Sequence, residues 1–199
     1  MEFQESGFYV VRNFLELDFV KFIQHYFHTK ICSGQGQEKK DIQAPFSFAF
    51  YGDLLMDTIL DGSTKTLSNI SGINLLPTYT YTRLYGKHDE LIIHRDRPSC
   101  EISATLALGF PENQEINPIY FSRNEDKSDA IKIDLNLGDL CLYKGCELYH
   151  WRPKFTQDWY LQSFLHYVDA NGKFKDNVYD GREYLGMPRR IGDDPQTGT

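Results

Sequence analysis

A mostly β domain, with its helices gathered near the N-terminus, is the fold expected of this sequence. Three observations lead to it. Apolar residues recur at helical spacing only before about position 77. From 78 to 168 the chain breaks into short runs rich in Thr, Tyr, Ile, Leu and Phe, parted by Gly, Pro, Asn and Asp. About seven such runs follow one another at the spacing of a sandwich or barrel. The 199 residues suit one domain spanning 1–199. Within it, 1–77 would be helical support, 78–168 the β core and 169–199 a C-terminal arm.

The elements follow in order. Phe14, Leu17, Val20, Phe22, Ile23 and Phe27 recur at helical spacing, which predicts a helix over 14–29 with Asn13 as its N-cap. Residues 33–40 read as a polar loop. Gly34 and Gly36 imitate part of a dinucleotide fingerprint, but the third glycine and a preceding strand are missing. Two short helices are expected over 53–61 and 63–70, parted by Gly62. Strands are expected over 78–85, 91–96, 102–108, 119–122, 130–133, 139–143 and 160–168. Gly86, Pro98, Pro111, Asn124, Asn136 and Gly138 mark the turns between them. The polar stretch from Asp169 to Thr199 reads as an ordered arm that frays at its end.

Composition excludes several classes. Aromatic residues make up 15% of the chain, too much for a disordered protein. The net charge of −7 argues against nucleic acid as the main partner, since phosphate backbones want a basic face. No apolar run approaches the ~20 residues that span a bilayer. The opening Met1-Glu2-Phe3-Gln4-Glu5 is acidic and lacks an apolar stretch behind it, so no signal peptide is expected. Cys32, Cys100, Cys141 and Cys146 form no C-x-x-C pair, and four reduced thiols in a cytoplasmic protein are expected.

The segment that carries chemistry is Leu91-Ile92-Ile93-His94-Arg95-Asp96-Arg97-Pro98. In a strand, residues i and i+2 share a face, so His94 and Asp96 converge while Arg95 points away. An imidazole and a carboxylate are two-thirds of a metal site. His150 is the best third donor. It follows a strand-and-turn signal over 137–143 and heads Trp151-Arg152-Pro153. Two histidines and one carboxylate form the facial triad of non-haem Fe(II) sites, which leaves positions open for substrates. His94-Arg95-Asp96 also imitates a kinase catalytic loop, but Glu101 stands where that motif needs Asn, and no Asp-Phe-Gly follows. No G-x-S-x-G elbow is present. A zinc site could use the same donors, although there is no H-E-x-x-H helix.

With these residues in place, the sequence resembles the 2-oxoglutarate/Fe(II)-dependent dioxygenases, especially their prolyl-hydroxylase-like branch. The resemblance rests on Tyr85-Gly86, Leu91, His94-Arg95-Asp96, Ser103-Ala104-Thr105, Gly138-Asp139, and His150 with Pro153. His150 follows His94 by 56 residues, an interval that suits the family. The likeness covers about 78–168, roughly half the chain. It implies a double-stranded β-helix, or jelly roll, with N-terminal α-helices packed on its outside and the metal at one mouth. An eight-stranded double sheet of this kind protects its edges and can enclose a ligand.

The resemblance further implies Fe(II) held by His94, Asp96 and His150, which are thus also the catalytic residues. It implies 2-oxoglutarate as cosubstrate and O2 as oxidant, giving succinate, CO2 and a hydroxylated C–H bond. Halogenating relatives carry a small residue in place of the carboxylate, so Asp96 speaks for hydroxylation. The implied substrate is a peptidyl residue, a free amino acid or another small molecule. The sequence does not address the oligomeric state.

One departure stands out. The family places Arg or Lys nine to eleven residues after the distal His to bind the 5-carboxylate of 2-oxoglutarate. Here Trp159, Tyr160 and Leu161 hold those positions. Arg83, on one strand face with Tyr81 and Tyr85, is one substitute anchor. Lys144 and Arg152 are the others, and Gln162 and His166 share a face with Tyr160. Arg83, Tyr85, Lys144, Arg152 and Gln162 are therefore the expected cosubstrate-binding set. The departure also motivates a second reading, a non-catalytic jelly-roll module that binds a metal or another ligand.

Overall fold

The structure is a computed structural model that describes residues 2–35, 37–38 and 44–188. In chain order the elements are α1 (Glu2–Ser6), β1 (Phe8–Val11), α2 (Leu17–Cys32), β2 (Gln37–Glu38), β3 (Phe48–Tyr51) and α3 (Leu54–Ser71). Then come β4 (Leu75–Gly86), β5 (Leu91–His94), β6 (Ile102–Gly109), β7 (Ile119–Ser122), β8 (Ile131–Ile133), β9 (Leu140–Tyr143), β10 (Tyr149–Arg152) and β11 (Trp159–Asp169).

Two antiparallel sheets face each other. The larger runs β1-β9-β6-β11-β4-β3-β2 and the smaller β5-β10-β7-β8. From β4 to β11 consecutive strands lie in opposite sheets except for the β7–β8 hairpin, as in a jelly roll. β1 extends the large sheet on one edge, and β3 with β2 extends it on the other. Thus the mostly β jelly roll with supporting N-terminal helices is the observed fold.

The two faces of the large sheet differ in chemistry. Its outer face is aliphatic. Ile102, Ala104, Leu106, Leu108, Leu140, Leu142, Leu161 and Leu165 meet Ile23 and Phe27 of α2 and Met56, Leu60 and Leu67 of α3. This period-two pattern against a helical pattern is what holds helix to sheet. The inner face carries polar and aromatic residues. On β4 the inner series is Tyr79, Tyr81, Arg83 and Tyr85; on β11 it is Tyr160, Gln162, Phe164 and His166. These pair across the strands, with Tyr160 opposite Tyr85, Gln162 opposite Arg83 and His166 opposite Tyr79.

Several expected elements need correction. α2 begins at Leu17, and Asn13 does not cap it. Asn13 sits in a left-handed turn at φ 51°, where its backbone N–H donates to Asp139 Oδ1 at 2.9 Å. The two short helices are one. α3 runs through Gly62 because Met56, Leu60 and Leu67 keep a single buried stripe, which outweighs the ~1 kcal/mol cost of an internal glycine. Asp53 caps α3 by accepting from the N–H groups of Leu55 and Met56. Part of the expected loop over 33–40 is strand β2; Gly36 and residues 39–40 lie outside the described residues, as does the arm's end from 189. β1, β3 and β10 are strands of four residues each that periodicity did not reveal.

Among the described residues no helix is long and apolar enough to cross a membrane. The four cysteines are free thiols, with Cys100 and Cys141 buried.

Candidate metal centre

His94 ends β5 and His150 lies in β10, directly opposite it in the antiparallel register. That pairing brings the two rings to 4.3 Å between centroids. Asp96, two residues beyond His94, turns its carboxylate back toward both. His94 Nε2 lies 3.6 Å and His150 Nε2 3.5 Å from the same Asp96 oxygen, Oδ1. All three donor atoms lie within 4.8 Å of one another. Donors bound at about 2.1 Å to one ion stand roughly 3–4 Å apart, so this spacing fits a shared ion.

The backbone orients both rings. His94 Nδ1 is 2.7 Å from the Ile92 carbonyl and His150 Nδ1 is 3.1 Å from the Leu148 carbonyl. A carbonyl only accepts, so each Nδ1 carries a proton and each ring turns its Nε2 toward the Asp96 carboxylate, where a metal would bind. Asp96 is held from behind. Ser103 Oγ donates to Asp96 Oδ2 at 2.8 Å, and the Asp96 N–H donates to the Gly145 carbonyl at 2.8 Å. A Cβ on Gly145 would overlap the Asp96 carboxylate and the Cys100 carbonyl, so only glycine fits. Burial pushes the Asp96 carboxyl up, but the charge and hydrogen bond of His150, with the hydrogen bond of His94, hold it well below the usual range. Burial pushes His94 down, and the Asp96 contact outweighs that to raise it. His150 is 1% exposed at its side chain while His94 is 39% exposed, so the site opens on the His94 side.

That opening is a cavity of about 970 Å3 lined by the three donors, the inner residues of β4, and Phe164 and His166 of β11. Arg83 lines it, donating to the Tyr81 hydroxyl at 3.0 Å. Tyr85 lines it too, stacked on Phe155 at 4.5 Å. Lys144 does not take part. Its ammonium pairs with Glu147 at 3.4 Å, and it is absent from the cavity wall.

Arg152 and Gln162 are closed off between the sheets at 1% and 0% exposure. Arg152 Nη1 donates to the Asn117 carbonyl at 2.5 Å, and its guanidinium lies 5.0 Å over the Tyr160 ring. Its Nε and Nη2 have no hydrogen-bond partner among the described residues. The same holds for both amide atoms of Gln162, Thr105 Oγ1 and the hydroxyls of Tyr143 and Tyr160. Buried polar atoms are nearly always satisfied, so a group of orphans in one interior calls for a polar ligand. Arg152 thus reaches Tyr160, which stands ten residues after His150. Sequence reasoning missed the partners Ser103 and Gly145. Alternation along β6 carries the signal for Ser103 and Thr105, which share one face.

No family model and no curated protein matches the sequence. Solved structures do. A Pseudomonas putida prolyl-4-hydroxylase is similar at a TM-score of 0.65 and 14% identity, over 84% of this chain and 95% of that one. A Trichoplax adhaerens prolyl hydroxylase, in complex with a hypoxia inducible factor peptide fragment, is similar at 0.68 and 16%, over 91% and 90%. The non-haem alpha-ketoglutarate-dependent epimerase SnoN from nogalamycin biosynthesis is similar at 0.69 and 12%, over 96% and 94%. The fold they share with this chain is the one described above.

Proposed function

We propose that this chain, which has the fold of the 2-oxoglutarate/Fe(II) oxygenases, is an Fe(II)- and 2-oxoglutarate-dependent dioxygenase that hydroxylates an unactivated C–H bond of a free or peptidyl amino acid. The observation that carries the reading is the convergence of His94, Asp96 and His150, with both Nε2 atoms facing one carboxylate oxygen. The free thiols suit a cytoplasmic setting.

When bound, Fe(II) with 2-oxoglutarate and O2 supplies the oxidising chemistry, with succinate and CO2 as co-products. The protein's own work is positioning. His94, Asp96 and His150 would hold the ion and leave coordination positions for the cosubstrate and oxidant. Ser103 fixes the carboxylate, and the Gly145 carbonyl holds the Asp96 backbone through its N–H. Arg152 offers Nε and Nη2 to the 5-carboxylate of 2-oxoglutarate, assisted by Gln162 and Thr105. A buried guanidinium can bind a carboxylate in bidentate fashion, a charge-assisted and specific contact. Arg152 therefore replaces the basic residue missing at 159–161. Arg83 stays on the cavity side, with Tyr85 between the two. This arrangement weakens the non-catalytic reading, whose motive was the missing anchor. Epimerisation, the activity named for one structural relative, is separated from hydroxylation by its product.

The test is an anaerobic titration of the apo-protein with Fe(II) and then 2-oxoglutarate, read by visible absorption and calorimetry. A metal-to-ligand charge-transfer band is expected, absent in His94→Ala. Arg152→Met should weaken 2-oxoglutarate binding about 100-fold while Fe(II) still binds, as expected for a lost charged contact of ~2–5 kcal/mol. Iron binding without any band in the wild type overturns the dioxygenase reading in favour of a binding module.

A further inference from the structure

The cavity beside the three donors has a sign. Its wall includes four cations, Arg83, Arg95, Arg97 and Lys173. Against them, among the described residues, stand only Asp96, a candidate metal donor, and Glu125. Arg97 is neutralised by Asp180 through two 2.8 Å contacts. Arg95 and Lys173 make no ion pair among the described residues; each lies over a ring, Tyr149 at 4.7 Å and Phe174 at 4.5 Å. This basic mouth sits on a chain whose net charge is −7, and a cleft of one sign concentrates ligands of the other. The inner site does not consume that charge. Fe(II), the Asp96 carboxylate, the Arg152 guanidinium and the 2-oxoglutarate dianion cancel among themselves. The rim cations are therefore left for the second substrate.

Size and enclosure bear on the kind of substrate. About 970 Å3 is the volume of a small-molecule pocket. One side of the mouth is walled by the arm after β11, which contributes Lys173 and Phe174 and is tied down by the Arg97–Asp180 pair.

We propose that the primary substrate is a small-molecule anion whose carboxylate, phosphate or sulfate is held by Arg95 and Lys173, with Arg83 deeper in the wall. Its reacting C–H bond would then face the metal. This deepens the dioxygenase reading and rests on it.

The experiment uses the full chain loaded anaerobically with Fe(II) and 2-oxoglutarate. Three matched pairs serve as probes: N-acetyl-L-leucine and its amide, 3-phenylpropanoate and its amide, and phenyl phosphate against phenol. An acidic peptide, acetyl-Glu-Pro-Asp-amide, is tested beside the three pairs. Calorimetry should find at least one small anion binding tenfold or more tightly than its neutral partner. The carboxylate and phosphate arms say which anion is preferred. That preference should shrink between 50 and 500 mM NaCl and fall below threefold in the double variant Arg95→Gln, Lys173→Gln. Equal binding or no binding of anions and their neutral partners overturns the proposal. So does an advantage that survives in the double variant, or binding of the peptide alone. The charge-transfer band is read in the same samples. Its absence counts against the dioxygenase reading, whereas its presence with no anion preference counts against this proposal alone.

Discussion

Asp96 shows how much of the candidate metal site is made by groups outside its three donors. Burial pushes His166 down to about 4, so its ring is neutral near pH 7. Ser103 Oγ lies 2.8 Å from both His166 Nδ1 and Asp96 Oδ2. An ionised carboxylate can only accept, so Ser103 gives its one proton to Asp96 and accepts from the His166 Nδ1–H. A one-way chain of hydrogen bonds thus aims the carboxylate. Ser103→Ala should weaken Fe(II) binding by 10–100-fold, the usual effect of losing an outer partner. Metal titration checks this, and an unchanged circular dichroism spectrum would show that the fold survives. The donors themselves were legible in the sequence because His94 and Asp96 are two apart in a strand. The proposed cosubstrate anchor was not. Arg83, Lys144 and Arg152 all carry the needed charge, and only burial separates Arg152, with its orphaned nitrogens, from Lys144, which Glu147 engages.

Elements follow the same divide. The long strands β4, β6 and β11 were legible because their runs are continuous and turn residues bound them. β1 escaped notice because four half-buried residues become a strand only by pairing with β9. α3 was read as two helices because a local glycine signal was weighed without the buried stripe that overrides it. The stretch after β11 matters more than its polar composition suggests. Asp57 of α3 is fully buried and accepts from the Thr80 N–H and hydroxyl on β4 at 3.0 and 2.7 Å. Its other oxygen accepts from Arg182 Nη1 and the Gly186 N–H, both at 2.8 Å. Arg182 also donates to the Thr78 carbonyl at 3.0 Å. Helix, strand and arm meet at one ion pair. Arg182→Met should cost about 3–5 kcal/mol, because it leaves the Asp57 charge buried without its partner. Urea unfolding measures it, and a loss under 1 kcal/mol would mean that the arm is not integral to the fold.

Across the whole molecule, carboxylates set how stability responds to acid. Burial pushes Asp180 up, but the hydrogen bonds of Arg97 and Tyr51 and the Arg97 charge hold it far below its ordinary value. Burial likewise pushes Asp139 up, and the Asn13 N–H, Arg12 and the Asn136 N–H lower it overall. A folded-state value below the unfolded one gives stability that is present above about pH 4 and is lost as pH falls through the folded value. The melting temperature should fall below pH 4, with a shallower fall in Asp180→Asn, on top of the loss that the buried neutral His166 adds as pH drops from about 6.5 to about 4. Calorimetric scans from pH 3 to 7 check this, and an unchanged acid limb in the variant would remove Asp180 from the account. The same Asp180 ties the arm to Arg97, the residue directly after the metal donor Asp96. All three donors belong to β5, β10 and the turn after β5, whereas the arm supplies part of the mouth. On the reading proposed above, part of the choice of substrate is therefore written in the arm, away from the metal donors, while Arg95 shares their stretch of chain. A designer wishing to retarget this scaffold would exchange residues 171–178, keep Asp180, Arg182 and Gly186 as fixed couplings, and leave every metal donor in place.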